Sequence, residues 1–373
     1  MNIFRRLPLY RLLLLCGVVI AVGVSATALA FALGSGPTPP AKPLAVAIHD
    51  AMGGGTHAGA VQGVSANIQL TNHLLEGASL ASGGGAAGEL ASSPLISGAS
   101  GRLWIAKDGH VRLELQAEKG DTEIYYDGHT VTLYDAASNT VYRYTPPAAE
   151  QGASNAAAPD ASAGPHEVPS VGKIEEGISH LSEHANVSGA TPSDVAGQPA
   201  YTVRVSPKEG GSLFGGAELS FDANNGAPLR AAIYSSTTSS PVIELAATEV
   251  SYGPVADSVF TFTPPAGAKV QEVEFSHEGS AGGSHAASEE ETPKITTHGH
   301  GPSTIAVLES KAKSGKSSSE PLEGLPKVTI NGASASELRT ELGTVLTFER
   351  AGVRYVLAGS VTPAAIEAIA RGL

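Results

Sequence analysis

Cysteine is nearly absent from this chain: Cys16 is the only one in 373 residues, beside one tryptophan and two methionines. A lone thiol excludes an intrachain disulfide and a cysteine-based zinc centre, so cysteine usage says nothing about redox compartment. Basic residues are also scarce, 23 Lys and Arg against 36 Asp and Glu, for a net charge of −13. Nucleic-acid affinity rests on Lys and Arg displacing counterions, and this balance sets nucleic acid aside as a partner. Aromatic residues make up only 5% while Gly and Pro number 44 and 24, which assigns part of the chain to linker rather than core. Catalytic signatures are missing too. There is no G-x-S-x-G elbow and no H-E-x-x-H pair, and "GKS" at residues 315–317 lacks the strand and first glycine of a phosphate loop.

One long hydrophobic run is present, and it lies at the N-terminus. Arg5, Arg6 and Arg11 precede "LLLLCGVVIAVGVSATALAFALG", residues 12–34, which carries no charge and ends in "SGPTPPAKP". Basic residues ahead of such a span hold that end in the cytoplasm and send the rest across. The run exceeds the roughly 7 to 15 residues of a signal-peptide core, which favours an uncleaved anchor, while "ATA" and "ALA" at residues 26–30 offer cleavage sites. Both readings give an extracytoplasmic C-terminal part, single-pass on the cell membrane or else released. Leu15 stands where a lipobox wants a small residue, so Cys16 is not read as lipidated.

Beyond residue 43 the pattern is that of strands. "LAVAIHDAM" reads as a short helix, and "VQGVSANIQL" alternates with Val64, Ala66, Ile68 and Leu70 on one side. After a Gly/Ala/Ser-rich stretch come "RLWIAK", "HVRLELQA", "TEIYYD", "HTVTLYDA" and "TVYRYT", separated by Asp108-Gly109, Asp127-Gly128 and Ser138-Asn139. Asp-Gly tolerates the positive φ of a tight turn, so this stretch is an antiparallel meander. Leu103, Ile105, Leu113, Leu115, Ile124, Tyr126, Val131 and Leu133 then share one face, and Arg102, Arg112, Glu114, Glu123 and Thr132 the other. The tyrosines of the meander suit either packing or the rim of an apolar cavity.

A low-complexity insertion at 148–168 reads as disordered. "SVGKIEEGISHLSEHA" follows as one helix, with Ser170 as N-cap and Val171, Ile174, Ile178 and Leu181 at helical spacing. Strands resume with "AYTVRVS", "GAELSFDANNGAPLRAAIYSS", "PVIELAATEVSYG" and "SVFTFTPP". Residues 272–301, rich in Gly, Ser, Glu and His, read as a linker. A last module at 302–373 begins "STIAVLES", continues through "PKVTI" and "GTVLTFERAGVRYVLAG", and ends in the helix "TPAAIEAIARGL" behind Thr362 and Pro363.

None of the ionisable clusters makes a site. His277, His285, His298 and His300 fall in the linker without a matched carboxylate, and the i,i+4 pair His180 and His184 has no third ligand in view. Asp50, Glu175, Glu176 and the run at residues 289–291 read as solvated carboxylates. The expectation is a non-catalytic protein with no cofactor and no metal.

The order "GRLWIAKDGHVRLEL", "YYDGHTVTLYDAASNTVYRY", "AYTVRVS", "LSFDANNGAPLRAAIY" and "VSYGPVADSVFTFTPPAGAKV" resembles the outer-membrane lipoprotein carrier (LolA-like) superfamily, which includes RseB/MucB-type regulators. The likeness spans about Leu44 to Val270, and the tail resembles segments that follow such domains in some bacterial envelope proteins. It implies a mainly β (α+β) fold: a strongly curved antiparallel sheet forming an unclosed β-barrel wrapped over helices, plus a small C-terminal α+β module. The chain then divides into four regions: 1–43 as membrane anchor or signal segment with a Pro-rich linker, 44–271 as half-barrel with the 148–168 insertion, 272–301 as linker and 302–373 as the module. The concave face would take a lipid or lipidated protein, with Ile68, Leu70, Leu103, Ile105, Leu113, Leu115, Ile124, Tyr126, Val131 and Leu133 facing the ligand. The alternative implied is an envelope-stress regulator that binds a membrane protein such as an anti-sigma factor. An uncleaved anchor and the extra tail both depart from a diffusing carrier.

Overall fold

A computed structural model describes residues 37–54, 61–76, 94–118, 120–145, 168–273, 294–311 and 325–373. The apolar run 12–34 and nearly all of the 148–168 insertion lie outside the described residues. No helix among the described residues is long and apolar enough to cross a membrane.

The chain opens with α1 (Leu44–His49), β1 (Gly63–Asn72) and a one-turn helix α2 (Pro94–Ser97). The meander follows as β2 (Ala99–Ala106), β3 (Val111–Ala117), β4 (Gly120–Tyr126), β5 (Val131–Asp135) and β6 (Thr140–Tyr144). Its turns use the residues the sequence offers: Gly109 and Gly128 sit at φ 89° and 90°, and Asn139 at φ 48°. Helix α3 (Val171–His184) comes next, its Ser170 Oγ accepting the Lys173 amide at 3.4 Å. Then come β7 (Ala185–Val187), β8 (Thr191–Val195), β9 (Gln198–Pro207), β10 (Phe214–Asp222), β11 (Pro228–Ser235), β12 (Pro241–Tyr252) and β13 (Lys269–Glu272).

These strands form one sheet of 13 in the order β13-β6-β5-β4-β3-β2-β1-β12-β11-β10-β9-β7, with β8 also on β9. Its two ends do not meet, and every pairing is antiparallel except β13 on β6. Right-handed twist accumulates over so many strands, and bulges at Asn67/Ile68 and Ser220/Phe221 bend it further. We call inner the face that carries the helices. On it, Ala47 of α1 packs with Tyr201 and Phe221, and Leu95 of α2 packs against Leu103, Leu113 and their neighbours. Gly226, at φ 74°, turns β10 into β11, and a Cβ there would lie 2.2 Å from the Ala51 carbonyl oxygen, so only glycine lets this hairpin reach the end of α1. Leu115, Leu229 and Leu245 are almost fully buried, each contributing about 1.5 to 3 kcal/mol of transfer free energy.

The expected strand in "SVFTFTPP" does not form. The chain leaves β12 through a 3-10 turn at Asp257–Phe260 and crosses the outer face as a strap, with Phe262 at 4.9 Å from Tyr125 and 6.0 Å from Tyr134. Pro264 and Pro265 have no amide hydrogen to give a ladder, and instead Phe262 covers two outer-face tyrosines while Phe260 meets His110.

The stretch read as linker contributes β14 (Lys294–His298) to a second sheet. That sheet adds β15 (Ile305–Lys311), β16 (Lys327–Ile330), β17 (Ala333–Thr340), β18 (Gly343–Arg350) and β19 (Val353–Gly359) in the order β14-β15-β19-β18-β17-β16. Helix α4 (Pro363–Arg371) closes its core, where Val307, Leu346, Leu357 and Ile366 are fully buried. Strand β17 is not evident in the sequence, because "ASASELRT" is short of β-branched residues. The two sheets are joined through backbone: the Leu213 amide donates to the Ser360 carbonyl at 2.8 Å, and the Glu341 amide to that of Leu74 at 3.2 Å.

Candidate ligand-binding face

In an antiparallel sheet, residues directly opposite share a face, so register decides which side chains meet. One row runs Ala66, Leu103, Leu113, Ile124, Leu133, Tyr142 across β1 to β6. A second runs Val64, Ile105, Val111, Tyr126, Val131, Tyr144. Ile68 and Leu115 flank Gly101 in a third, and Leu70 opposes Ala99. All ten residues expected to face a ligand therefore lie on the inner face.

They are not equally open. Ile68, Leu70, Leu103, Leu113 and Leu115 are buried in one cluster with Leu95 of α2 and with Val195 and Ala196 at the β8–β9 turn. Ile105, Ile124, Tyr126, Val131 and Leu133 are half-buried, so the meander's outer flank is where the apolar surface remains accessible. The Tyr126 hydroxyl donates to the Gly128 carbonyl at 2.9 Å, which holds its ring along the β4–β5 turn.

A further row of the same face starts four residues along β1 from Ala66 and crosses the other half of the sheet. Leu70 opposes Leu245, Leu245 opposes Ala231, Ala231 opposes Leu219, and Leu219 opposes Val203. Leu219 is 43% exposed, Leu181 of α3 and Met52 just beyond α1 are exposed as well, and α1 and α3 pack on each other. Tyr142 and Tyr144, which the sequence leaves open between packing and rim, fall on this face, while Val203, Leu219, Ile233 and Ile243 are not among the residues expected from the sequence to face a ligand. The period-two spacing of "YTVRV" and "ELSF" carries the signal for Val203 and Leu219.

The outer face is ionic. Glu218 accepts from Arg204 at 3.0 Å, from Arg230 at 2.8 Å and from the Tyr234 hydroxyl at 2.7 Å, and Arg230 also pairs with Glu244. A second group joins Arg112 to Glu114 and Glu123, with the Arg112 guanidinium 5.4 Å from the Trp104 ring and 5.0 Å from that of Tyr125. Tyr125 and Tyr134 thus pack beneath the strap, while Tyr126, Tyr142 and Tyr144 line the inner face. Asp50 is held by Lys42 at 2.6 Å, and the rings of His180 and His184 lie 6.4 Å apart on an exposed stretch of α3. Among the described residues no three His, Cys, Asp or Glu side chains converge as a metal site.

Burial pushes the Glu218 carboxyl upward, but hydrogen bonds from Arg230, Tyr234 and Arg204 outweigh it and hold the group below the usual carboxylate range. A lowered folded value means stability that is present above the unfolded value of about 4.3 and lost as pH falls through the folded one. Denaturant midpoints followed by circular dichroism from pH 5 downward are therefore expected to fall, and Glu218→Gln to flatten that fall. An unchanged slope in the variant would remove Glu218 from the acid response.

No protein of curated function matches the chain by sequence. Among solved structures, the Pseudomonas aeruginosa MucA/MucB complex is similar at 16% identity over 88% of this chain and 96% of that one, with a TM-score of 0.40. An uncharacterized conserved protein from Thermus thermophilus is similar at 9% identity over 61% of this chain and 98% of that one, TM-score 0.34. A LolA superfamily protein from Nitrosomonas europaea follows at 8% identity over 85% and 91%, TM-score 0.19. Residues 90–161, which hold the meander, match the family described as "Predicted periplasmic protein (DUF2092)".

Proposed function

We propose that this is an extracytoplasmic binding protein, attached to the membrane through residues 12–34, that holds a lipid or lipidated ligand on its inner face without catalysing a reaction. The observation that carries the reading is the apolar inner face built from two rows, one from Tyr142 through Leu113 and Leu103 to Ala66, the other, four residues along β1, from Leu70 to Leu219 and Val203. Its centre is packed by α2 and the β8–β9 turn, and its flanks are left half-open. An apolar surface of this extent inside a curved sheet suits an acyl chain, which gains about 0.8 kcal/mol for each methylene buried. No proton transfer or nucleophile is needed for that.

The full chain purified from membranes in mild detergent and examined by native mass spectrometry is expected to carry a lipid adduct that organic extraction removes. It should then take up a fluorescent acyl chain after delipidation. A chain that carries no lipid and takes up no acyl probe overturns the reading. Recovery of a single-span membrane protein in place of lipid would favour the regulatory alternative.

A further inference from the structure

We propose a second binding site, on the outer face, for a small saccharide carrying one carboxylate. Two adjoining depressions of about 360 and 260 Å³ share Asn67 and Arg102 and run along the outer side of β1 and β2. Their walls are polar: Gln69, Ser100 and Gln116 at one end, Ser65, Glu249 and Ser251 at the other, with Trp104 beside Arg102.

The groups that build the site are fixed, and those that would meet a ligand are uncommitted. Asn67 Nδ2 donates to Glu249 Oε2 at 2.8 Å and Gln69 Nε2 to the Ala99 carbonyl at 3.1 Å, which leaves the second Glu249 oxygen and the Gln69 amide oxygen as oriented acceptors. Arg112 covers one side of the Trp104 ring and pairs with Glu114, which also lines the first depression, so the carboxylate across the ladder from Arg102 has a partner other than Arg102. The side chains of Arg102, Gln116, Ser100 and Thr248 make no hydrogen bond or ion pair among the described residues. Thr248 faces the trough because the β1–β12 register slips at Asn67/Ile68, the kind of bulge that re-aims a side chain.

This set has a definite chemical preference. Amides and hydroxyls that both donate and accept match ring hydroxyls, and the exposed part of an indole matches the apolar side of a sugar. One unpaired guanidinium matches one carboxylate. A polyanion is disfavoured by the chain's charge of −13. An extended peptide is disfavoured because β1 and β2 are interior strands whose backbone groups are used by neighbours on both sides, leaving no edge for strand addition.

Saturation-transfer NMR on the full chain, with glucuronic acid, glucose and acetate as separate probes, tests this. Glucuronic acid is expected to bind most tightly, Arg102→Gln to weaken it at least tenfold, and Gln116→Ala to weaken glucuronic acid and glucose alike. Leu219→Asp on the opposite face should leave saccharide binding unchanged, which separates this site from the lipid face. Three results would each overturn the proposal: no saturation transfer from glucuronic acid, equal affinity in Arg102→Gln, or acetate binding as well as glucuronic acid.

Discussion

Full-length protein carrying Leu133→Asp together with Leu219→Asp is expected to lose acyl-chain uptake by at least a hundredfold while its thermal transition moves by only a few degrees. Both side chains lie on the inner face, on opposite sides of β1, and neither is fully buried. In the unliganded protein each aspartate stays hydrated, so the fold tolerates it. Under an acyl chain it must be stripped of water without a partner, at a cost of several kcal/mol. A loss of about 1 kcal/mol in stability corresponds to roughly 2 to 4 °C for a domain of this size. The choice of position matters. Leu113, an obvious target from sequence, is 2% exposed, and Leu113→Asp would bury an unpaired carboxylate and report on folding rather than on binding. Uptake within twofold of the parent by a double variant that still melts normally would show that the ligand does not use this face.

The second large effect is expected at Arg230. Its guanidinium bridges Glu218 on β10 and Glu244 on β12, from a strand lying between them, and its side chain is only 14% exposed. Arg230→Ala leaves two poorly hydrated carboxylates facing one another without their shared cation. Breaking a buried pair from one side costs about 3 kcal/mol or more, whereas replacing the whole group with apolar residues of similar size can be neutral. Arg230→Ala should therefore lower the urea midpoint by an amount equivalent to about 3 kcal/mol, and Arg230→Met combined with Glu218→Leu and Glu244→Leu should recover most of it. If Arg230→Ala melts like the parent, the network adds nothing to the sheet.

Much of this architecture could be read from residue order alone, because the meander obeys local rules. Asp-Gly and Ser-Asn turns at fixed intervals and strict period-two alternation place Leu103, Leu113, Ile124 and Leu133 in one row without any knowledge of the fold. The α3 boundaries follow equally from Ser170 and its apolar spacing. Two things were not local. "FTFTPP" has the alternation of a strand, yet a strand exists only if a neighbour pairs with it, and here Tyr125 and Tyr134 offered a better contact to Phe262. The degree of opening of the inner face depends on Leu95 and on the β8–β9 turn, segments distant in sequence from the strands they cover. Sequence thus told which side chains point inward, and only the packing told which of them a ligand can reach.

The single parallel pairing has a mechanical meaning. After β12, at the middle of the large sheet, the chain passes over the outer face and lays β13 along β6, one free edge of the curve. The next described segments build the small sheet, whose Ser360 is bonded to Ser212 and Leu213 in the loop between β9 and β10, near the other free edge. One rim of the open curve is thus lined by a strand that arrives from the sheet's own middle, and the other is bonded through the Ser212 loop to the small sheet, so a guest that widened the curve would have to carry β13 or that loop with it.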